Sequence, residues 1–96
     1  MKRAEALKIL ADHRLDLDRY KVKSLALFGS VARDQARVDS DIDILVEFSE
    51  LVGIFEFLDL KEYLEKILGA RVDLVTEPAL KKQLRAQILK EAVHAA

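Results

Sequence analysis

The chain contains no cysteine, only one proline and only three glycines among its 96 residues. Without cysteine it can form no disulfide bond and offers no thiolate ligand to a metal, which is typical of proteins in a reducing compartment. It also lacks an apolar run of about twenty residues, which a membrane-spanning helix needs, and the apolar segment of a secretory signal. We therefore expect a cytoplasmic protein without membrane attachment.

An excess of charge of either sign is missing as well. Sixteen basic and 17 acidic residues leave a formal net charge of −1. Proteins that bind nucleic acid broadly usually carry a basic excess, so this composition argues against such binding. The sequence shows no internal repeat, low-complexity tract or linker, and its length suits one domain with a modest core. We predict a single domain over residues 1–96.

Hydrophobic periodicity, with the few glycines and the proline, predicts seven elements in the order αβαβαβα. Gly29 ends the first strand, Gly69 ends the long helix and Pro78 opens the last helix. The predicted elements are a helix over 1–18, a strand over 22–28, a short helix over 30–35 capped by Ser30, a loop over 37–40, a strand over 42–48, a helix over 53–68, a strand over 71–76 and a helix over 78–93. This order favours a two-layer α/β or α+β unit.

Two aspartates interrupt the second predicted strand. Asp41 and Asp43 alternate with isoleucine in a run that is otherwise suited to burial. Residues i and i+2 of a strand project from the same face, with Cα atoms roughly 6.5 Å apart, so these two charges repel unless a cation lies between them. Mg²⁺ is such a cation, because it binds one or two carboxylates together with substrate phosphates. The same alternation is also typical of the solvated face of an edge strand, which would need no chemistry.

A third aspartate, Asp73, lies in another apolar run, between Val72 and Leu74. Two strands of one small sheet that each carry an out-of-place acid favour a shared site over coincidence. If the strands are neighbours in register, three carboxylates converge on one patch. We therefore predict that Asp41 and Asp43 bind a metal and that Asp73 belongs to the same site.

The turn after the first strand is the candidate phosphate site. Gly29 has no Cβ, so a phosphate can approach its backbone closely. The N–H groups that open the next helix favour an anion, and the Ser30 hydroxyl can donate a hydrogen bond to a phosphate oxygen. Arg33, on the first turn of that helix, either meets the phosphate or pairs with an acidic neighbour. The alternative is that Gly29 and Ser30 only form a strand-ending turn and a helix cap.

Taken together, the motifs resemble those of minimal nucleotidyltransferases (the MNT type) of the DNA polymerase β superfamily. The resemblance extends from about residue 25 to the end of the chain and implies a small mixed sheet of three strands flanked by helices. It also implies that the first two strands are antiparallel and that the third lies beside the second. The motifs that carry it are Gly29-Ser30-Val31-Ala32-Arg33, then Ser40-Asp41-Ile42-Asp43 with ten residues between Ser30 and Asp41, and Arg71-Val72-Asp73-Leu74-Val75.

The resemblance implies an enzyme that transfers AMP from ATP to a hydroxyl group with two Mg²⁺ ions. Asp41 and Asp43 would hold the metals, and Gly29 and Ser30 would hold the triphosphate. Asp73 would complete the second metal site and help to deprotonate the hydroxyl. Members of this family are often antitoxins encoded beside a HEPN-domain toxin, so the implied acceptor is a tyrosine of a cognate HEPN toxin.

Two other functions stay open. One is an antitoxin that acts only by binding, although three intact aspartates argue against it. The other is a nucleotidyltransferase that acts on a small molecule or an RNA end, although neither a substrate domain nor a basic groove is visible. A homo-oligomer and a hetero-oligomer are both compatible with the sequence, which favours neither.

The long predicted helix has more apolar residues than a single sheet-facing stripe requires. It is interpreted either as a core helix with ragged edges or as a helix whose surplus, especially Phe55 and Tyr63, covers a partner chain. Arg71 flanks the predicted site, and the sequence assigns it no role.

Overall fold

A four-stranded mixed sheet organises the chain in a computed structural model, which describes residues 1–37 and 39–95. The strands are β1 (Val22–Phe28), β2 (Ile42–Phe48), β3 (Val72–Thr76) and β4 (Val93–His94). The helices are α1 (Arg3–Asp12), α2 (Arg14–Arg19), α3 (Gly29–Ala32), α4 (Ile54–Leu68) and α5 (Lys82–Glu91), with a 3₁₀ turn over Glu77–Ala79. The spatial order is β3-β2-β1-β4, with β1 antiparallel to β2 and β4 and with β2 parallel to β3.

The strand predictions agree with this sheet in most respects. The predicted bounds of β1 and β2 are confirmed, as are the antiparallel first pair and the position of β3 beside β2. The prediction of three strands was wrong, because Val93 and His94 form a fourth strand along the outer edge of β1. The last predicted helix extended through Val93, but α5 ends at Glu91 and the chain then becomes extended.

The predicted helices needed more correction than the strands. The first helix is broken at His13 (φ −107°, ψ 19°) into α1 and α2. The short helix α3 covers only four residues, and Ser30 does not cap it, because Phe28 is the N-cap residue and makes no side-chain cap bond. Pro78 lies in the 3₁₀ turn, and α5 starts only at Lys82. The predicted loop over 37–40 falls partly outside the described residues.

The two faces of the sheet differ because hydrophobic residues alternate along the strands. Ile42, Ile44 and Val46 of β2 are buried, whereas Asp43 and Leu45 project from the opposite face, which we call the open face. The core forms between the buried face and helices α1, α2 and α4. No helix in the described part of the chain is long and apolar enough to cross a membrane. The main core residues are Ala6, Leu10, Leu17, Leu25, Leu27, Ile42, Ile44, Val46, Leu60, Leu64, Leu68, Val72 and Leu74.

Candidate active site

The turn at Gly29 lies directly against Asp43, the aspartate within β2. Phe28, the last residue of β1, is opposite Asp43 of β2, so Gly29 follows at the point where the two strands end their pairing. Gly29 has a φ of +69°, and a Cβ at this position would overlap the Oδ2 atom of Asp43 and lie 3.0 Å from its Cγ. Only glycine therefore meets both demands, a left-handed backbone and room for the carboxylate.

Asp43 and Asp73 lie opposite each other in the parallel pairing of β2 with β3. The pKa of the Asp43 carboxyl is raised to about 6, first by burial and then by the charge of Asp73 and a hydrogen bond with it. Asp41 adds a smaller repulsion, and the positive charge of Arg33 opposes these effects. The sequence predicted that the acids of two strands would converge, and the register brings Asp43 and Asp73 together as expected.

Asp41 has a different environment from the other two aspartates. It precedes β2, and its Oδ1 atom forms an ion pair at 3.2 Å with Nε of Arg71. The backbone fixes this neighbourhood, because the N–H of Ile42 donates a hydrogen bond of 2.9 Å to the carbonyl of Arg71. The like charge that the sequence placed beside Asp43 is therefore balanced by an arginine.

The donor set fits a magnesium ion that is shared with a substrate. Among residues 1–37 and 39–95, no three acidic or imidazole side chains converge into a ligand set of their own. Mg²⁺ does not require one, because it keeps several waters and binds through one or two carboxylates and substrate phosphates. The carboxylates of Asp43 and Asp73 are all-oxygen ligands on neighbouring strands, with Asp41 two residues before Asp43. These residues suit a hard cation that arrives with a phosphate group.

Arg33 follows α3 and is held by two side chains. Its Nη1 atom donates to Oε2 of Glu91 at 3.0 Å, and its Nε atom donates to Oε1 of Gln35 at 3.2 Å. Of the two alternatives drawn from the sequence, the structure shows the acidic partner, while the charge of Arg33 still acts on Asp43. The sequence did not indicate Glu91, because it is 58 residues from Arg33 and lies in no motif.

An open groove extends over the same sheet face beyond the aspartates. Its volume is about 1020 Å³, and Leu45, two residues after Asp43, lines it together with Ala26 of β1. The segment before α4 and the 3₁₀ turn form its walls, and Arg85 of α5 also lines it. The groove therefore offers space on the same sheet face for a nucleoside or for an acceptor group, although Leu45 rather than any of the three aspartates lines it.

A group of apolar side chains beside this groove is exposed, and we call it the α4 patch. Phe55 is 80% exposed, which agrees with the prediction that it is surplus to the core. Tyr63 is partly buried and packs against the core instead, because its ring stacks on Tyr20 and its hydroxyl donates a hydrogen bond of 3.0 Å to Asp16. The members of the α4 patch are Leu51, Ile54, Phe55 and Leu58.

Comparison with known proteins identifies the family and supports the fold. A sequence model described as a nucleotidyltransferase domain matches residues 7–94. The chain belongs to this family of nucleotidyltransferases. The protein adenylyltransferase MntA of Thermococcus cleftensis is 43% identical over 91 residues, which cover 94% of this chain and 92% of the relative. A Methanocaldococcus jannaschii protein that also bears an adenylyltransferase name is 48% identical over 94 residues, which cover 90% of this chain and 94% of that protein.

The solved structures support the same fold. One that is described as a minimal nucleotidyltransferase has a TM-score of 0.75 and 40% identity, with 97% of this chain and 95% of that chain covered. Another contains an MNT antitoxin with a tri-AMPylated HEPN toxin of Shewanella oneidensis; its TM-score is 0.65 at 22% identity, with 94% of this chain and 71% of that chain covered. At that identity the second likeness supports only the fold. The resemblance drawn from the three motifs is confirmed.

Proposed function

We propose that this nucleotidyltransferase transfers AMP from ATP to a tyrosine hydroxyl of a cognate HEPN toxin in the cytoplasm, with Mg²⁺ as its cofactor. The observation that carries the proposal is the position of Asp43, which is in register with Asp73 and directly against the Gly29 turn. Carboxylates from two strands thus meet a turn that a phosphate can approach. The adenylyltransferase names of the relatives support AMP as the transferred group.

The reaction exchanges one phosphorus–oxygen bond for another. The acceptor oxygen forms a bond to the α-phosphorus of ATP, the bond from that phosphorus to the oxygen bridging to the β-phosphate breaks, and pyrophosphate leaves. Asp73 takes the proton of the acceptor hydroxyl. The backbone of Gly29 and the hydroxyl of Ser30 hold the β- and γ-phosphates, so that the leaving group departs along a fixed direction.

The magnesium ions would be held by Asp41, Asp43 and Asp73. When bound, they would neutralise the charge of the phosphates. Asp43 is the central ligand of this arrangement, because it adjoins both the glycine turn and Asp73. The groove beyond Leu45 accommodates the groups attached to the reacting atoms. Catalysis then depends on positioning and electrostatic stabilisation by residues whose backbone is fixed in a sheet.

The direct test uses labelled ATP, Mg²⁺ and the cognate HEPN protein from the same organism. We expect label on the HEPN protein, with a mass increase of one or more AMP groups on a tyrosine. Asp43→Asn should reduce the transfer rate by roughly 100-fold or more, as expected for loss of an electrostatic group at the reacting centre. Asp59→Asn on the exposed surface of α4 is the matched control and should leave the rate unchanged. Full transfer by the Asp43→Asn protein would refute the assignment.

The α4 patch is our candidate surface for the toxin. Exposed apolar residues that cluster on one side of a small protein are typical of interaction sites, and Leu51 and Ile54 of this cluster line the groove on the open face. A toxin that binds there would cover the end of the groove that lies away from the carboxylates, and its modified segment would extend along the groove to reach them. Solved relatives of the same fold that contain a HEPN toxin support this choice of partner.

Binding to the HEPN protein tests the patch separately from catalysis. Phe55→Ser should weaken binding by about tenfold or more, since buried aromatic anchors often dominate an interface. Leu15→Ser is the control, because Leu15 is 82% exposed on α2, outside the patch. Equal affinity of the Phe55→Ser and Leu15→Ser proteins would show that the toxin binds elsewhere.

A doubly substituted protein separates transfer from simple binding. The protein with Asp41→Asn and Asp43→Asn keeps the α4 patch, so it should still bind the toxin. We expect it to fail to protect cells, because the carboxylates that serve catalysis are lost. If it protects as well as the wild type while the toxin stays unmodified, the binding-only function is correct.

A further inference from the structure

Arg71 stands beside the three aspartates although the proposed reaction gives it no part. It precedes β3, two residues before Asp73, and its Nε atom lies 3.2 Å from Oδ1 of Asp41. Its carbonyl accepts a hydrogen bond from the N–H of Ile42, so its backbone is fixed next to the start of β2. A permanent positive charge is thereby placed at the edge of the acidic site.

We propose that Arg71 is a placeholder cation, which neutralises Asp41 in the metal-free protein and is displaced from it when a divalent cation binds. The inference rests on the proposed function in taking Asp41 as a metal ligand. It goes further in assigning a role to Arg71, to which the sequence and the proposed reaction assign none.

The chemistry of the pair suits such an exchange. A carboxylate oxygen has two lone pairs, so the ion pair does not block Mg²⁺ sterically. The two cations compete for Asp41 because the positive charge of Arg71, 3.2 Å from Oδ1, repels a divalent cation at the same oxygen. Arginine keeps its charge at all physiological pH values and has no acceptor atom, so it cannot itself serve as a ligand. In the metal-free state it relieves part of the repulsion among Asp41, Asp43 and Asp73.

The exposure of the pair indicates that the exchange is easy. The side chain of Arg71 is 80% exposed and that of Asp41 is 50% exposed. Ion pairs so accessible to water contribute little to stability, so a strongly bound metal can displace the arginine. The flexible side chain of Arg71 can then move into solvent while its backbone stays in place.

The test is a calorimetric titration of the nucleotide-free protein with MnCl₂ and MgCl₂, which measures metal binding without any reaction. Arg71→Met should tighten binding by about two- to fivefold, because the competing cation is removed. Arg19→Met is the matched control, since Arg19 is 83% exposed and also pairs with an aspartate, Asp16 at 3.9 Å. We expect the control to bind metal as the wild type does.

A second measurement follows the arginine itself. In NMR spectra of the wild type, the side-chain Nε–H signal of Arg71 should shift on addition of Mg²⁺ towards the position it has in an Asp41→Asn protein. The corresponding signal of Arg19 should not move.

The outcomes distinguish this inference from the proposed function. If the wild type binds metal and Arg71→Met binds it no more tightly, the placeholder role is refuted while the metal site stands. If neither protein binds a divalent cation, the metal assignment and the placeholder role both fail. If only the Arg71→Met protein binds, the placeholder role is supported strongly.

Discussion

Asp43 and Asp73 lie directly opposite each other on neighbouring parallel strands, and the Asp73 carboxyl makes the Asp43 carboxyl harder to ionise. Burial and this neighbour raise the pKa of Asp43 to about 6, above its ordinary value of 3.8. Such a pair opposes folding when it is charged, which a site designed only for stability would avoid. The cost is understandable if a cation normally occupies the site.

The first prediction concerns the pH dependence of stability without metal. The raised pKa means that the folded protein binds a proton at Asp43 more tightly than the unfolded chain does. The destabilisation by Asp43 is therefore complete above pH 6 and is relieved as the pH falls from about 6 towards 3.8. We expect Asp43→Asn to be more stable than the wild type at pH 7.5, with a smaller difference at pH 5. Urea denaturation at both pH values measures this.

Adding Mg²⁺ supplies the control for that prediction. At pH 7.5 the metal should stabilise the wild type and leave the Asp43→Asn protein nearly unchanged, because bound ligands stabilise only the state that binds them. If Asp43→Asn exceeds the metal-free wild type in stability by the same amount at both pH values, the raised pKa is contradicted.

The second prediction uses two glycines with nearly the same backbone. Gly29 and Gly69 have φ values of +69° and +66°, but only a Cβ at Gly29 would meet another group within 4 Å, the Asp43 side chain. Gly69→Ala should cost only the left-handed backbone penalty, about 1–2 kcal/mol of unfolding free energy. Gly29→Ala should cost about 1–3 kcal/mol more, because the methyl group overlaps the carboxylate.

Activity should separate the two glycine variants more clearly than stability. Gly29→Ala displaces Asp43 and narrows the phosphate approach, so AMP transfer should be nearly abolished, whereas Gly69→Ala should retain the wild-type rate at a temperature where both are folded. Comparable transfer by the two variants would show that the turn has no part in the site.

The third prediction concerns the Ser30 hydroxyl. Because Ser30 is not the N-cap residue of α3, its hydroxyl is available to bind a phosphate. Ser30→Ala should weaken ATP binding by about 1.5–3 kcal/mol, the usual value of a hydrogen bond to a charged group. Ser49→Ala is the control, since its hydroxyl donates to the Lys21 carbonyl at 3.2 Å at the far end of β2. Equal ATP affinity of the two variants in calorimetry would remove Ser30 from the phosphate site.

The fourth prediction concerns the attachment of α5. This helix has no buried residue, and the contact between Glu91 and Arg33 joins it to the end of α3. Glu91→Ala should therefore increase amide hydrogen exchange throughout α5 by severalfold, with little change in β1 and β2. Lys90→Ala on the same helix is the control and should leave the exchange of α5 unchanged. Slow exchange in both variants would mean that other contacts hold the helix.

The parts of the structure that were predicted correctly depend on local patterns. Alternating hydrophobic residues predicted β1 and β2, and the spacing of Gly29, Asp43 and Asp73 predicted the centre of the candidate site. The short strand β4 has only two residues and pairs with Ala26 and Leu27 far along the chain, so no local pattern could reveal it. The break at His13 likewise has no glycine or proline to mark it.

The partners of the site residues were hidden for the same reason. The sequence allowed an acidic neighbour for Arg33 but could not identify Glu91, and it gave Arg71 no role beside Asp41. The position of Tyr63 in α4 allowed either a core contact or a contact with a partner chain. Its stacking on Tyr20 places it against the core. Each of these contacts depends on how elements meet in space, which periodicity along one element does not report.

The parallel pairing of β2 with β3 also has a consequence for folding. Asp43 and Asp73 are thirty residues apart in sequence. They meet only after helix α4 has crossed over and β3 has docked against β2. Such a non-local strand pair forms late in folding, because the long connection between the strands must be ordered before the strands can contact each other. Partly folded chains therefore contain the glycine turn and its antiparallel hairpin without a complete set of carboxylates. Under the proposed function, in which Asp73 serves the transfer, a newly made chain gains activity only when its folding is finished, so activity would report the completion of the fold.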